Sequence, residues 1–465
     1  MNKLNHYEWI IILSHLNDDS LLNAIRSSRH LAQIAEASSK LMLKCHLEIN
    51  PETEALIKEG SELSYIKFRR ISITNFRKRL NELRLFTSLI KNFKNSIEIL
   101  TLIEFKERSQ KPVLDFFNSL PNLRILVLNL CSIQEEIDRQ TLKPFKNLKE
   151  ISFEKCDENY FEIFKNQDSV EKIVIINEDW TWNGFNHEQF NELALTLKNF
   201  KILVLKGIGT ASYFDCDIFP KNIVILDTFA ITFHWYVGIR TARINFLQSL
   251  KGVLKELTIH QLPNDFDGGR VLKYIIEEMK LEKFNYGDIL LIKDGAKQDV
   301  QEFSSNEIQI CSMIEMFFQF PSIKKFTLIL NQTDIDSSEI ERFVNPPTYL
   351  FMNVEVLEIV DKSEFRRIFG VFLGLFKNFR AIKILKIKSP DRNINALLQE
   401  FLPRMSNINE FYIDSIAPRV EDRFETIRIC APVLKKLSVD FSFVEQARTF
   451  FGANVEVFSI ENVYN

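Results

Sequence analysis

The chain has 465 residues, 46% hydrophobic and 26% charged, with 59 basic against 62 acidic side chains and a net charge of −3. Such a balance lacks the electrostatic footprint of a nucleic-acid binder or of a protein held on an anionic membrane. Six cysteines (Cys45, Cys131, Cys156, Cys216, Cys311, Cys430) lie far apart with no C-x-x-C pair, so no zinc site is expected and the thiols read as the reduced cysteines of an intracellular protein.

No basic-then-apolar leader opens the chain, and its longest apolar run, Phe369 to Phe376, falls well short of the about 20 residues a spanning helix needs. A soluble protein of the cytoplasm, the nucleus or both is therefore expected, with neither nucleic acid nor membrane as a partner.

The first elements are helical. Trp9, Ile12, Leu13 and Leu16 fall at i, i+3, i+4 and i+7, one face of a helix. Asn17-Asp18-Asp19-Ser20 breaks it, and Asp19 or Ser20 can cap the next helix, whose stripe begins at Leu21, Leu22 and Ile25. Leu31, Ile34 and Leu41 extend the pattern, predicting a three-helix module over residues 1–48 with more apolar surface than it can bury alone.

The stretch from Leu4 through Ile12-Leu13-Ser14-His15-Leu16, followed by Ser20-Leu21-Leu22 and Ser27-Ser28-Arg29-His30-Leu31, resembles the F-box motif. Asn5 stands where the family has Pro, Tyr7 where it has Glu, and Leu31 where it has Trp. The resemblance implies an adaptor-binding face made of Leu4, Trp9, Ile12, Leu13, Leu16, Leu21, Leu22 and Leu31. The alternative is a plain helical cap on the open end of a repeat array, which such arrays require.

From residue 49 onward one phrase recurs. Asn122-Leu123-Arg124-Ile125-Leu126-Val127-Leu128 reads L-x-x-L-x-L, and near-copies stand at Leu148–Phe153, Phe200–Leu205 and Leu434–Val439. Fifteen markers, from Ile71 through Leu126, Ile151, Leu226, Phe284 and Phe326 to Phe458, recur about 28 residues apart, the period of leucine-rich repeats. Ile71 and Leu226, the latter followed by Thr228, are the weakest copies.

The alternating pair, such as Leu126 and Leu128, points inward from a short strand. Amphipathic stretches such as 112–120, 188–197 and 444–451 return the chain as helices, and Asn, Pro or Gly stops each before the next strand. Many of the 41 Phe take the place of a core Leu.

The predicted fold is α/β: a leucine-rich-repeat solenoid of about 15 repeats over residues 49–465, a curved parallel sheet with outer helices, preceded by a small all-α F-box-like module. The long gap between Phe284 and Phe326 predicts a loop around Asp288–Ser305, and the final strand has little chain left to cover its edge.

No chemistry emerges. The seven His are scattered, the Gly-rich pairs lack the context of a phosphate loop, and no nucleophile–base motif is present. No catalytic residue, cofactor or metal is expected.

The residues flanking each inward pair should line the concave face. In the first half these include Ile99, Ile125, Val127, Val174, Ile176, Ile202, Val204 and Phe229, an apolar series of the kind that marks an interaction surface. Two inserts beside it carry Trp180, Trp182 and Trp235, residue types common at binding hot spots. These Trp either anchor a partner or fold over the strip as local core.

What the family resemblance implies is a substrate-recognition subunit of an SCF-type ubiquitin ligase, holding a Skp-type adaptor and cullin complex at one end and an unknown protein substrate on the repeats. The alternatives are a repeat scaffold or inhibitor whose N-terminal helices only cap the array, and an enzyme with a site assembled from distant repeats.

Overall fold

The computed structural model describes residues 5–50, 66–75, 82–107, 111–133, 143–156, 159–176, 187–209, 222–230, 246–261, 274–276, 278–286, 289–293, 300–306, 323–330, 353–361, 381–388, 407–413, 420–439 and 441–459. The chain forms two compact units, Met1–Val253 and Leu254–Asn465.

The first unit opens with four short helices, one more than the periodicity predicts: α1 (His6–Ser14), α2 (Asp18–Ser27), α3 (Arg29–Glu36) and α4 (Ser39–Lys44). Each start is set by a side-chain cap. Asn5 Oδ1 accepts from Glu8 N–H at 2.9 Å while Glu8 Oε2 accepts from Asn5 N–H at 2.7 Å, a reciprocal capping box. Asn5, which stands where the family has Pro, thus starts the first helix.

Asn17, rather than Asp19 or Ser20, caps α2, accepting from Ser20 N–H at 2.8 Å. Asp18 and Asp19 sit in the first turn, where negative charge suits the helix dipole. Ser28 and Ser38 cap α3 and α4. Lys44 Nζ donates to Ser14 O at 3.0 Å and ties the end of α4 to the end of α1.

Eight parallel strands follow: β1 (His46–Ile49), β2 (Arg70–Thr74), β3 (Ile99–Ile103), β5 (Ile125–Asn129), β7 (Glu150–Glu154), β8 (Lys172–Ile176), β9 (Ile202–Gly209) and β10 (Ile225–Ala230). Two-residue strands β4 (Lys106–Glu107) and β6 (Ser132–Ile133) pair separately. The helices between are α5 (Glu82–Phe93), α6 (Lys111–Asn118), α7 (Asn159–Ile163) and α8 (His187–Thr196).

The register aligns the marker positions in one row: Leu47, Ile71, Leu100, Leu126, Ile151, Ile173, Leu203 and Leu226. All are buried. The weakest copies, Ile71 and Leu226, are in line with the rest. The row begins one strand earlier than the phrase count, at Leu47, so β1 lies across the 48/49 boundary.

Helices cover the marker face. Phe153 on β7 meets Phe161 of α7 at 4.9 Å, and Phe161 meets Phe190 of α8 at 6.1 Å. Phe86 of α5 stacks on Phe116 of α6 at 4.4 Å, and Phe117 reaches Phe164 at 6.4 Å. Phenylalanine thus fills the layer between sheet and helices with a near-continuous chain of ring contacts, each ring burying more area than a Leu would.

Two local devices set the repeat. Asparagine ahead of four of the phrases does more than stop a helix: Asn122 Nδ2 donates to Asn95 O at 2.6 Å, Asn147 to Pro121 O at 2.7 Å, Asn199 to Asp168 O at 2.6 Å and Asn222 to Phe200 O at 2.8 Å. Each bond reaches back into the preceding repeat. At the far ends of β3, β5 and β7, Glu104, Leu130 and Lys155 adopt φ of 60°, 54° and 50°. That left-handed step turns the next residue, Phe105, Cys131 or Cys156, back toward the helices, and each turn N–H donates to the following strand at 2.9–3.1 Å.

The second unit contains β11 (Glu256–Gln261), β12 (Lys283–Tyr286), β13 (Ile289–Lys293), β14 (Val300–Asn306), β15 (Lys325–Leu330), β16 (Val356–Asp361), β17 (Ile384–Lys388), β18 (Glu410–Ile413), β19 (Lys436–Val439) and β20 (Glu456–Ser459). Its described helices of full length are α9 (Val420–Cys430) and α10 (Val444–Phe451).

Pairing is parallel except at β12–β13 and β13–β14, which are antiparallel. The described residues of the expected loop at 288–305, namely 289–293 and 300–305, are therefore two added strands. Leu291 and Phe303 join the buried marker row between Phe284 and Phe326. The alternation Ile289/Leu291 is a strand pattern, and a bulge at Ile292/Lys293 brings Val300 inward as well. Lys293 Nζ donates to Ile276 O at 2.7 Å, and burial pulls its pKa down.

The last repeat also departs from expectation. Val457, not Phe458, aligns with Leu437 and is buried, so Phe458 faces outward against Tyr412 at 5.9 Å. A one-residue offset exchanges the two faces of a strand. Glu456 N–H donates to Lys435 O, so by alternation Val457 O points away from β19. Arg448 of α10 donates to that carbonyl at 3.3–3.4 Å, which satisfies part of the edge.

Candidate partner-binding surfaces

The outer face of the first unit carries three aligned rows. The first runs His46, Arg70, Ile99, Ile125, Glu150, Lys172, Ile202, Ile225; the second runs Glu48, Ser72, Thr101, Val127, Ser152, Val174, Val204, Asp227. The third contains Thr74, Ile103, Asn129, Glu154, Ile176 and Lys206.

The register brings Ile99 beside Ile125, with Val127 in the next row, and Val174 beside Val204, with Ile176 and Ile202 flanking them. It does not join the two groups. Glu150, Ser152 and Glu154 of β7 form a polar column between them, with Glu150 bonded to Lys172 at 3.1 Å and Glu154 accepting from Asn129 Nδ2 at 2.8 Å. The apolar series is thus two patches.

Val174 and Val204 are 7% and 9% exposed, while Ile99, Ile125, Val127, Ile176 and Ile202 are half-buried. Strands about 4.8 Å apart let neighbouring branched side chains shield one another. Phe229 lies in β10, but its side chain, like Trp180, Trp182, Trp235 and Leu4, is outside the described residues.

On the helical module, Leu13 and Leu21 are core, 1% and 0% exposed. Trp9, Leu16, Leu22 and Leu31 are half-buried, and Ile12 is 42% exposed. Alongside Ile12, α1 presents Tyr7 at 71% and Ile11 at 43%, which the stripe reading passes over. The signal was available: α1 is apolar on nearly every side, so burying the Trp9/Leu13 stripe must leave another apolar face outside.

At the first strand pair, His46 Nε2 lies 2.6 Å from Ser72 Oγ and Nδ1 lies 3.5 Å from Glu48. Burial, then Arg70, holds the His46 pKa below its ordinary value, with Glu48 and Asp18 pulling the other way. A polar cleft of about 520 Å³ lies nearby, lined by Glu36, Lys67, Arg69, Asn95, Glu98 and Asn122 among others. Its charges are paired, Lys67 with Glu36 at 3.5 Å and Arg69 with Glu98 at 2.8 Å. Among the described residues no group of three or more His, Cys, Asp or Glu could hold a metal ion, and no helix is long and apolar enough to cross a membrane.

No protein-family model and no curated protein matches the chain. Among solved structures it is similar to the Rad7 and Elc1 complex in yeast, at 14% identity and a TM-score of 0.28, over 96% of this chain and 94% of that one. A likeness that distant assigns neither fold family nor function.

Proposed function

We propose that the protein is a non-catalytic substrate receptor of an SCF-type cullin-RING ubiquitin ligase: an F-box-like module followed by a leucine-rich-repeat array. The observation that carries this reading is the α1 face of Tyr7, Ile11 and Ile12, left exposed on a helical module placed directly ahead of an in-register strand array. Exposed aromatic and aliphatic side chains on one short helix suit a partner helix or groove.

On this reading a Skp-type adaptor, with its cullin, seats on α1 and the half-buried Trp9, Leu16, Leu22 and Leu31. A protein substrate is held on the outer face of the first unit. The chain supplies proximity between target lysines and a separately recruited conjugating enzyme, and contributes no reacting group.

The test is capture of purified Skp-type adaptor by the full chain. Ile11→Asp with Ile12→Asp should lower binding at least tenfold while the circular dichroism and melting temperature stay those of wild type. Equal binding by wild type and variant, or none by wild type, would overturn the assignment. The second reading, a repeat scaffold or inhibitor with a terminal helical cap, is favoured by the burial of Leu13 and Leu21 within the module; it is the reading left standing if the adaptor does not bind.

A further inference from the structure

Cys131 and Cys156 occupy the same place in consecutive repeats. Asn129 of β5 is aligned with Glu154 of β7, and each cysteine follows two residues later, after a left-handed residue, Leu130 or Lys155. Equivalent positions on neighbouring strands lie about 4.8 Å apart, inside the roughly 4.4–6.8 Å between Cα atoms that a disulfide bridges. Both are free thiols.

The two thiols are near enough for each to shift the ionisation of the other. Cys156 Sγ lies 3.1 Å from Leu128 O and Cys131 Sγ 3.4 Å from Leu102 O, so each thiol is also fixed against the repeat before it. Cys131 is buried and Cys156 half-buried, so Cys156 is the more accessible residue of the two.

We propose that Cys131 and Cys156 form a reversible two-electron oxidation site, in which a peroxide converts the paired thiols to a disulfide joining two neighbouring repeats. The assignment stands independently of the ligase reading. The donors around Cys156 pull its pKa down, whereas donation to Cys156 and burial push that of Cys131 up. Cys156 is also the less buried of the two, which makes it the attacking thiolate and Cys131 the resolving thiol.

The chemistry balances. The Cys156 thiolate attacks one peroxide oxygen, the O–O bond breaks, and a sulfenic acid and hydroxide form. The hydroxide takes up the proton that Cys156 released and leaves as water. The Cys131 sulfur then attacks the Cys156 sulfur, the S–O bond breaks, and the Cys131 proton leaves with the hydroxyl as a second water. Two thiols and one hydrogen peroxide give one disulfide and two waters. Cys45 is an internal control: buried, with its pKa pushed up to about 11, it should stay reduced.

The full chain, reduced and desalted, is treated with hydrogen peroxide, denatured, alkylated, digested and mapped by mass spectrometry. The expected product is a single cross-linked peptide pair, Cys131 to Cys156, lighter by two hydrogens than its reduced parts and lost on dithiothreitol. In Cys131→Ser, dimedone should trap a sulfenic acid at Cys156. Full alkylation of both cysteines after peroxide, pairing of either with another cysteine, or over-oxidation of Cys156 with Cys131 still free would each overturn the proposal.

Discussion

At the scale of single residues, His46 ties a titration to the first strand pair. Its folded-state pKa lies below the ordinary 6.5, with burial the main cause. A histidine lowered on folding contributes stability above its unfolded pKa and loses it as the pH falls through the folded value. Wild type should therefore lose melting temperature relative to His46→Gln between pH 7.5 and pH 5; parallel melts that keep a constant gap would remove the effect. Leu130 is a second residue-scale case, holding φ of 54° while 39% exposed. A branched side chain in that conformation costs about 1 kcal/mol or more, and asparagine tolerates it better. Leu130→Asn should raise the unfolding free energy by up to about 1 kcal/mol in urea titration.

At the scale of elements, the rings between sheet and helices act as a unit. Phe116 is fully buried and stacked on Phe86 at 4.4 Å. Replacing it by Ala should cost about 3–5 kcal/mol. Because the partner ring loses the same contact, the Phe86→Ala/Phe116→Ala double variant should fall short of the summed single losses by about 0.5–1.5 kcal/mol, as read from a thermodynamic cycle. The asparagine bonds are weaker, being exposed to water. Asn147→Ala should cost about 1 kcal/mol, checked by the urea midpoint.

The recurring strand was plain in the sequence because Leu126 and Leu128 alternate and the phrase repeats. The cross-repeat asparagine bonds were not, since a helix stop and a side-chain donor are spelled by the same letter. β13 is hard to read from the sequence for a different reason. Ile289, Leu291 and Phe303 carry strand signals, but an expected parallel strand-and-helix period left no place for antiparallel neighbours.

Taken as whole units, the arrays stack each repeat only on its neighbours, so protection should fall toward the ends of a row. Amide exchange in the first unit should be slowest in β5, β7 and β8 and faster in β1, where the row begins. Uniform protection across these strands would count against nearest-neighbour stabilisation. The candidate surfaces were only partly legible at this scale. Periodicity found the outer-face residues, but which of them touch is a matter of register, and register put Glu150, Ser152 and Glu154 in the middle of the apolar series. Of the α1 stripe only Leu13 is buried, while Ile12 of the same stripe lies outward with Tyr7 and Ile11.

The insertion in the second unit has a consequence of parity. β13 reverses the direction of the sheet and β14 reverses it again, so β15 runs as β11 and β12 do. One added strand would have left every later repeat travelling backwards, with its helical return arriving at the wrong end of the sheet. An array of this kind can therefore accept extra antiparallel pairings only in even numbers, and a variant deleting β13 alone should lose the order of everything from Lys325 onward, whereas removing both strands together should spare it.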